Sequence, residues 1–261
     1  MIKVKTAEEI DKLKKGGQKL AHILNILSQD VVVGASSFDL DKKCAELMKK
    51  EGGRPSFLGY TPYGAHRPYP ASLCLSINHE IVHGIPNETE KIIQEGDIVT
   101  LDAGLIYEEL YTDHAITLIV GSSDKRSKEL VERTREALYA GIKQARVGNT
   151  TGDIGNAIEK VAESANLAVM EGLTGHGVGY GVHEDPYIPN YGQKGKGDKL
   201  IEGMVVAIEP MFSLGTDEIK VEKDGYTYST ADGSLSAQFE HTVAITSDGP
   251  IILTKPASKI S

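Results

Sequence analysis

Nowhere does this 261-residue sequence hold eighteen consecutive apolar residues, so no membrane-spanning helix is expected. The first residues, Met1-Ile2-Lys3-Val4-Lys5-Thr6, carry no apolar core region and run straight into a charged helical pattern, unlike a secretory leader. Cysteine is scarce. Cys44 and Cys74 each sit in an apolar pattern and read as two buried thiols of a reducing compartment rather than as a disulfide framework. A cytoplasmic protein is therefore the expectation. Basic residues are outnumbered, 28 Lys and Arg against 37 Asp and Glu, for a net charge of −9. That balance argues against a general nucleic-acid binder and against an anionic-membrane binder. No G-x-S-x-G elbow, phosphate-binding loop, low-complexity segment or obvious linker occurs.

What is present is an ordinary globular composition, 40% hydrophobic and 25% charged, on a chain long enough for a sizeable core. Thr6-Ala7-Glu8-Glu9 is a capping box, and Ile10, Leu13, Leu20, Ile23, Leu24 and Leu27 recur behind it at helical spacing. A second helix is expected from Ser37, with Leu40, Cys44, Leu47 and Met48 on one face and a stop at Gly52-Gly53. Two more are expected over about 124–146 and 152–165. Residues 72–78 alternate as a strand, and 97–107 and 111–120 read as long apolar strands joined by a turn at Glu108-Glu109. Further strands are expected over 203–213, 218–229 and 235–246, with 190–200 a polar, glycine-rich loop. The fold class is α+β, one domain over 1–261 made of two related halves, about 1–122 and 123–261.

The halves announce themselves in a duplicated pattern. Glu95-Gly96-Asp97-Ile98-Val99-Thr100-Leu101-Asp102 and Glu202-Gly203-Met204-Val205-Val206-Ala207-Ile208-Glu209 each open on Glu-Gly and place an acid six residues after the glycine. A second acid followed by His comes later in each half, Asp113-His114 and Glu240-His241. An ionised carboxylate held away from water costs several kcal/mol unless it is paired or bound to metal. Four of them on apolar strands point to a site between the halves where Asp102, Asp113, Glu209 and Glu240 share metal ions. His114 and His241 directly follow acids, so on a strand they point to the opposite face and read as supporting or packing residues.

Gly175-His176-Gly177-Val178-Gly179-Tyr180-Gly181-Val182-His183-Glu184-Asp185-Pro186 does not have the G-x-G-x-x-G spacing of a dinucleotide site. It reads as a glycine-rich loop that brings His176 and His183 to the acids. His79-Glu80-Ile81-Val82-His83 matches the H-E-x-x-H zinc peptidase pattern, but that chemistry needs both histidines on one helix face. A strand leads into the motif, and Gly84 and Pro86 leave no room for a helix.

With these residues laid out, the chain closely resembles a type I methionine aminopeptidase of the pita-bread fold. The resemblance spans essentially its whole length and rests on SLCLSINHEIVHGIP, GDIVTLDAG, the acid of YTDHA, TGHGVGYGVHEDP, VAIEPM and SLSAQFEHT. It implies two pseudo-symmetric halves of antiparallel strands covered by helices, with a metal site between them. The implied activity is removal of the N-terminal methionine from nascent proteins and peptides, preferring a small second residue, by attack of a water or hydroxide activated by two metal ions. The implied ligands are Asp102, Asp113, His176, Glu209 and Glu240, a set that suits Mn, Fe, Co or Zn. Catalytic roles fall on Glu209 as proton relay and on His183 and His83, which contact substrate; the last two roles are interchangeable on sequence grounds. Phe57, Tyr60, Tyr69, Cys74, Val182 and Tyr226 map to the methionine pocket, where relatives commonly have a larger aromatic in place of Val182. His114 stands where Thr is common, and 61–68 looks longer than in relatives. Asn78 and Ser236 fall where some relatives hold a monovalent cation. The partners implied are nascent polypeptide N-termini, with the ribosome a further candidate and no membrane or direct nucleic-acid contact; family habit favours a monomer.

Two alternatives are weighed against this reading. An X-Pro peptidase of the same fold usually carries a further N-terminal domain of more than a hundred residues. A non-catalytic binding protein of the fold typically loses metal ligands, and all five stand here.

Overall fold

A nine-stranded antiparallel sheet organises the chain, which the computed structural model describes over residues 2–256. The expected domain limits of 1 and 261 lie outside the described residues. Along the sheet the strands run Arg54–Pro55, Ile98–Tyr107, Leu110–Ile119, Glu240–Thr246, Val205–Ile208, Thr174–Gly177 and Glu184–Pro189. Cys74–Ile77 also pairs with Ile98–Tyr107, and Gly249–Ile252 with Glu240–Thr246. The strand carrying Asp113 meets the one carrying Glu240 at the pairs Glu240↔Ala115 and His241↔His114.

Four helices are described: α1 (Ala7–Ser28), α2 (Ser37–Lys50), α3 (Lys125–Gln144) and α4 (Thr151–Ala165). Each starts where a short polar side chain can serve the free N–H groups of a first turn. In α1 the box closes both ways: the Glu9 N–H donates to the Thr6 hydroxyl at 3.2 Å and the Thr6 N–H to the Glu9 carboxylate at 2.8 Å. Ser36 accepts from Phe38 and Asp124 from Ser127. Under α1 and α2 lies one core with Leu20, Leu24, Leu27, Met48, Leu75, Val99 and Leu101. Under α3 and α4 lies a second, with Leu138, Ile154, Ile158, Val206, Ile208 and Val243. Alternation on Ile98–Tyr107 sends Leu101, Ala103 and Leu105 into the helix-covered core, which leaves Asp102 for the other face.

The structure departs from the expected strands in a consistent way. The 203–213 run breaks at Glu209-Pro210 into Val205–Ile208 and Met211–Ser213, and the 235–246 run breaks at Phe239 into Ser236–Gln238 and Glu240–Thr246. Both breaks fall at an acid of the duplicated pattern, where Pro210 and the change of partner strand end the ladder. The 218–229 run is a hairpin, Ile219–Val221 with Tyr228–Thr230. Thr174–Gly177 and Glu184–Pro189 are paired strands rather than one glycine-rich loop. Gly177 is there for close approach: a Cβ on it would sit 2.2 Å from the Asp185 carbonyl oxygen. The Glu108-Glu109 turn has positive φ at both residues, 48° and 61°, the geometry of a tight two-residue hairpin.

Packing of α1 on the sheet supplies a test. Gly17→Ala should gain about 1 kcal/mol in helix propensity. Its Cβ would stand 2.6 Å from the Leu253 carbonyl oxygen, a backbone atom that cannot swing away. Overpacking of that kind typically costs about 1–3 kcal/mol, so the net effect is a lower Tm. Calorimetry that found Gly17→Ala more stable than wild type would show the helix free to lift off.

Candidate active site

On the face of the sheet away from the helices, the four acids and the histidines of the duplicated motifs come together. One cavity, about 530 Å³ out to its mouth, is lined by Asp102, Asp113, His176, Glu209, Glu240, His83, His183, Phe57, Tyr60, Tyr69, Cys74, Val182 and Tyr226, with Pro62. Each residue expected as a metal ligand, a substrate-contacting histidine or a wall of the methionine pocket is in that lining, whereas Asn78 and Ser236 are not. Asp102 and Asp113 come from neighbouring strands, offset in register so that both face the cavity. Glu240 opens its strand opposite Ala115, and His176 lies opposite Ala207. His83 stands just past the strand Glu80–Val82 with φ 59°.

The backbone and its neighbours set each group. Thr242 Oγ1 accepts the Asp113 N–H at 2.8 Å and donates to the Asp113 carbonyl at 2.7 Å. His176 Nδ1 lies 2.9 Å from the Gly177 carbonyl, which keeps the proton on Nδ1 and leaves Nε2 facing Glu209 Oε1 at 3.5 Å. Burial, then the neighbouring His183, pushes the His176 pKa down to about 3, so the ring is neutral near pH 7 and its lone pair is free. Burial raises all four carboxyls. Asp113 is pushed up to about 7, and Asp102, Glu209 and Glu240 stand well above the usual range, with the charges of the other acids adding to burial.

A cation fits this arrangement. Asp102 Oδ1 and Glu240 Oε1 are buried without a hydrogen-bond partner, an arrangement that is costly if nothing positive lies between them. Asp113, His176 and Glu240 offer ligand atoms all within 4.8 Å of one another. Four carboxylates with one imidazole form an oxygen-rich donor set of the Mn, Fe, Co or Zn type. Cys74, though it lines the cavity, is buried with its thiol pKa pushed well up, so it does not supply a thiolate.

The second wall of the cavity is apolar. Phe57, Tyr69, Cys74, Val182 and Tyr226 pack together, with Tyr69 edge-on to Phe57 and to Tyr226 at ring separations of 6.4 and 5.1 Å. Tyr60 closes the rim and lies 3.0 Å from His183 Nδ1 through its hydroxyl. Part of 61–68 is strapped down here: Arg67 pairs with Glu88, and its Nη2 donates to the Asp224 carbonyl at 2.9 Å.

His114 and His241 lie on the helix side, stacked on each other at 4.7 Å with planes 10° apart. His114 Nδ1 meets the Glu240 carbonyl at 2.5 Å. The HEIVH motif forms a strand, and its Glu80 accepts from Lys91 Nζ at 2.7 Å, so no zincin helix exists there. Asn78 and Ser236 meet directly, the Asn78 carbonyl accepting the Ser236 N–H at 2.8 Å and its hydroxyl at 2.9 Å. Cys44 and Cys74 are both free and buried. Sequence reasoning gave no role to Gln238, whose Nε2 donates to Glu209 Oε2 at 3.1 Å. Its position two residues before Glu240 is the signal for it, and the interruption of the strand at Phe239 obscures that alternation.

The model of "Metallopeptidase family M24" matches residues 11–247. A methionine aminopeptidase of Aquifex aeolicus is 45% identical over 256 residues, covering 97% of this chain and 99% of that protein. The crystal structure of a methionine aminopeptidase from Thermotoga maritima superposes with a TM-score of 0.92 at 45% identity, over 98% of this chain and 100% of that one. The prolidase of Pyrococcus horikoshii is similar in fold, with a TM-score of 0.73 at 24% identity; this chain covers 65% of it. The fold is thus the pita-bread fold of these structures, an α+β architecture with a curled antiparallel sheet under helices. Among the described residues no helix is long and apolar enough to cross a membrane.

Proposed function

We propose that this chain, which belongs to metallopeptidase family M24, is a methionine aminopeptidase that removes the N-terminal methionine from nascent polypeptides and peptides. The observation that carries this reading is the shared cavity: four buried acids and three histidines on one side, an apolar slot on the other. A slot walled by Phe57, Tyr69, Cys74, Val182 and Tyr226 suits an unbranched thioether side chain, and the charged side suits a free α-amine and the first peptide bond.

Asp102, Asp113, His176, Glu209 and Glu240 would hold two divalent ions. When bound, such ions supply Lewis acidity and a hydroxide at neutral pH. Glu209 receives the proton of the attacking water and passes it to the leaving amide nitrogen, and Gln238 holds its outer oxygen while it does so. In this reading the Tyr60 hydroxyl, 3.0 Å from His183 Nδ1, donates to it, which puts the His183 proton on Nε2 for donation to the carbonyl oxygen as charge develops there. His83 is kept neutral by burial, its pKa lowered to about 4, and hydrogen-bonds the amide side. By the same reading a small second residue reacts fastest, since a bulky one would crowd the acids. The same reading puts a monovalent cation beside Asn78 and Ser236.

Hydrolysis of Met-Ala-Ser by metal-stripped protein, titrated separately with Mn, Fe, Co and Zn, tests the proposal. Methionine release that returns with metal supports it. Release of alanine from Ala-Pro-Ala with no action on Met-Ala-Ser would replace it with an X-Pro peptidase. Val182 offers a finer test, being buried in the slot. Val182→Phe should shrink the slot, so the kcat/KM for Leu-Ala-Ser falls more than that for Met-Ala-Ser, by about tenfold in the ratio. An unchanged ratio would remove Val182 from the specificity pocket.

A further inference from the structure

One ion pair outside the acid cluster has both side chains largely withdrawn from solvent. Lys5 Nζ and Glu184 Oε2 are 2.7 Å apart, and their side chains keep only 1% and 3% of their surface exposed. A buried pair of this kind contributes little net stability, because desolvation offsets most of the attraction. Burial lowers the Lys5 pKa, and Glu184 offsets only part of that. What the pair does achieve is a fixed geometry. The other Glu184 oxygen, Oε1, accepts the Tyr180 N–H at 2.6 Å, so one carboxylate clamps both ends of the short loop that carries Val182 and His183. Lys5 is itself anchored: its N–H donates to the Gly203 carbonyl at 2.7 Å, at the start of the segment that leads to Glu209. The Tyr180 hydroxyl adds a bond to Glu9 Oε2 at 2.8 Å, tying the same loop to the first turn of α1.

We propose that Lys5 is a positioning residue: through Glu184 it holds His183 and Val182 at the cavity wall, so that the N-terminal segment braces both the substrate-contacting imidazole and the methionine slot. This rests on the aminopeptidase reading. Displacement of a substrate-contacting group by about 1 Å can lower a rate by roughly 100-fold, and Val182 and His183 share the loop, so rate and first-residue selectivity move together.

The test uses metal-loaded full-length protein with Met-Ala-Ser and Leu-Ala-Ser. Lys5→Met should lower kcat/KM for Met-Ala-Ser by at least tenfold, narrow the Met-over-Leu ratio, and lower Tm because Glu184 is left buried and unpaired. Lys5→Met combined with Glu184→Gln removes that lone charge while leaving Tyr180 an acceptor. It should regain most of the Tm but not the kcat/KM or the ratio. If Lys5→Met is not recovered folded, the double variant reads the same property. Full recovery of activity and selectivity with Tm would make the pair merely structural and overturn the proposal, as would wild-type kinetics in Lys5→Met. A wild-type enzyme inactive on Met-Ala-Ser with every metal would instead overturn the aminopeptidase reading, and this inference with it.

Discussion

Replacing Glu209 with Gln lowers kcat on Met-Ala-Ser by about 1,000-fold or more while the protein still folds. Proton transfer by a positioned side chain contributes roughly 100- to 10,000-fold, and Glu209 also stands among the proposed ligands, facing His176 Nε2 at 3.5 Å. Gln keeps the shape and a contact with Gln238 but cannot take a proton from water. The fold should gain rather than lose. Glu209 is buried beside Asp113, and both effects raise its pKa, so its charge is a burden on the metal-free protein. Removing that charge raises the metal-free Tm near pH 8 and weakens the Tm increase on adding metal. Near-normal kcat in Glu209→Gln, with folding verified by calorimetry, would sink the assignment.

Stripping the divalent metal should abolish activity and expose a pH-dependent stability. In the metal-free fold the four acids have pKa values above those of the unfolded chain, with Asp113 at about 7. The folded state therefore holds protons that the unfolded chain has released. Stability from these groups is complete below the unfolded carboxyl pKa, near 4, and is lost as pH rises through the folded values. Below about pH 6.5 the buried neutral histidines, His83 and His176 among them, oppose this trend, because the unfolded chain holds protons that they do not. The metal-free Tm should thus fall from about pH 7 to pH 8. A divalent ion binds the deprotonated acids and the neutral His176, so its stabilisation grows across the same window. The Tm gap between loaded and stripped protein should widen by about 5 °C or more from pH 5.5 to pH 8, read by scanning calorimetry. A gap that narrows with rising pH would mean that the acids are not the ligands.

Some of this is legible in the residue order because its cause is local. The capping box at Thr6, the start of α2 at Ser36–Ser37 and the helical spacing of Leu20, Leu24 and Leu27 need only neighbouring residues. The inward direction of Asp102 and Asp113, and the outward direction of His114, follow from strand alternation alone. The duplicated Glu-Gly patterns also mark the matching acids Asp102 and Glu209.

Other features depend on which strands meet. Glu209-Pro210 and Phe239 look continuous with their strands in sequence, yet each ends a ladder, because hydrogen-bond partners change there. Gln238 reaches Glu209 only because two distant strands converge, and Lys5 finds Glu184 across 179 positions of chain. Residue order sets the chemistry available, four acids and the histidines, along with the helices and the face on which each strand residue sits. Tertiary structure alone decided that those acids share one buried cavity, that an apolar slot lies beside them, and that a buried ion pair anchors the loop between. The physical reason is range: caps and alternation act over a few residues, whereas desolvation and mutual repulsion of charges depend on which distant segments the sheet brings within a few ångströms.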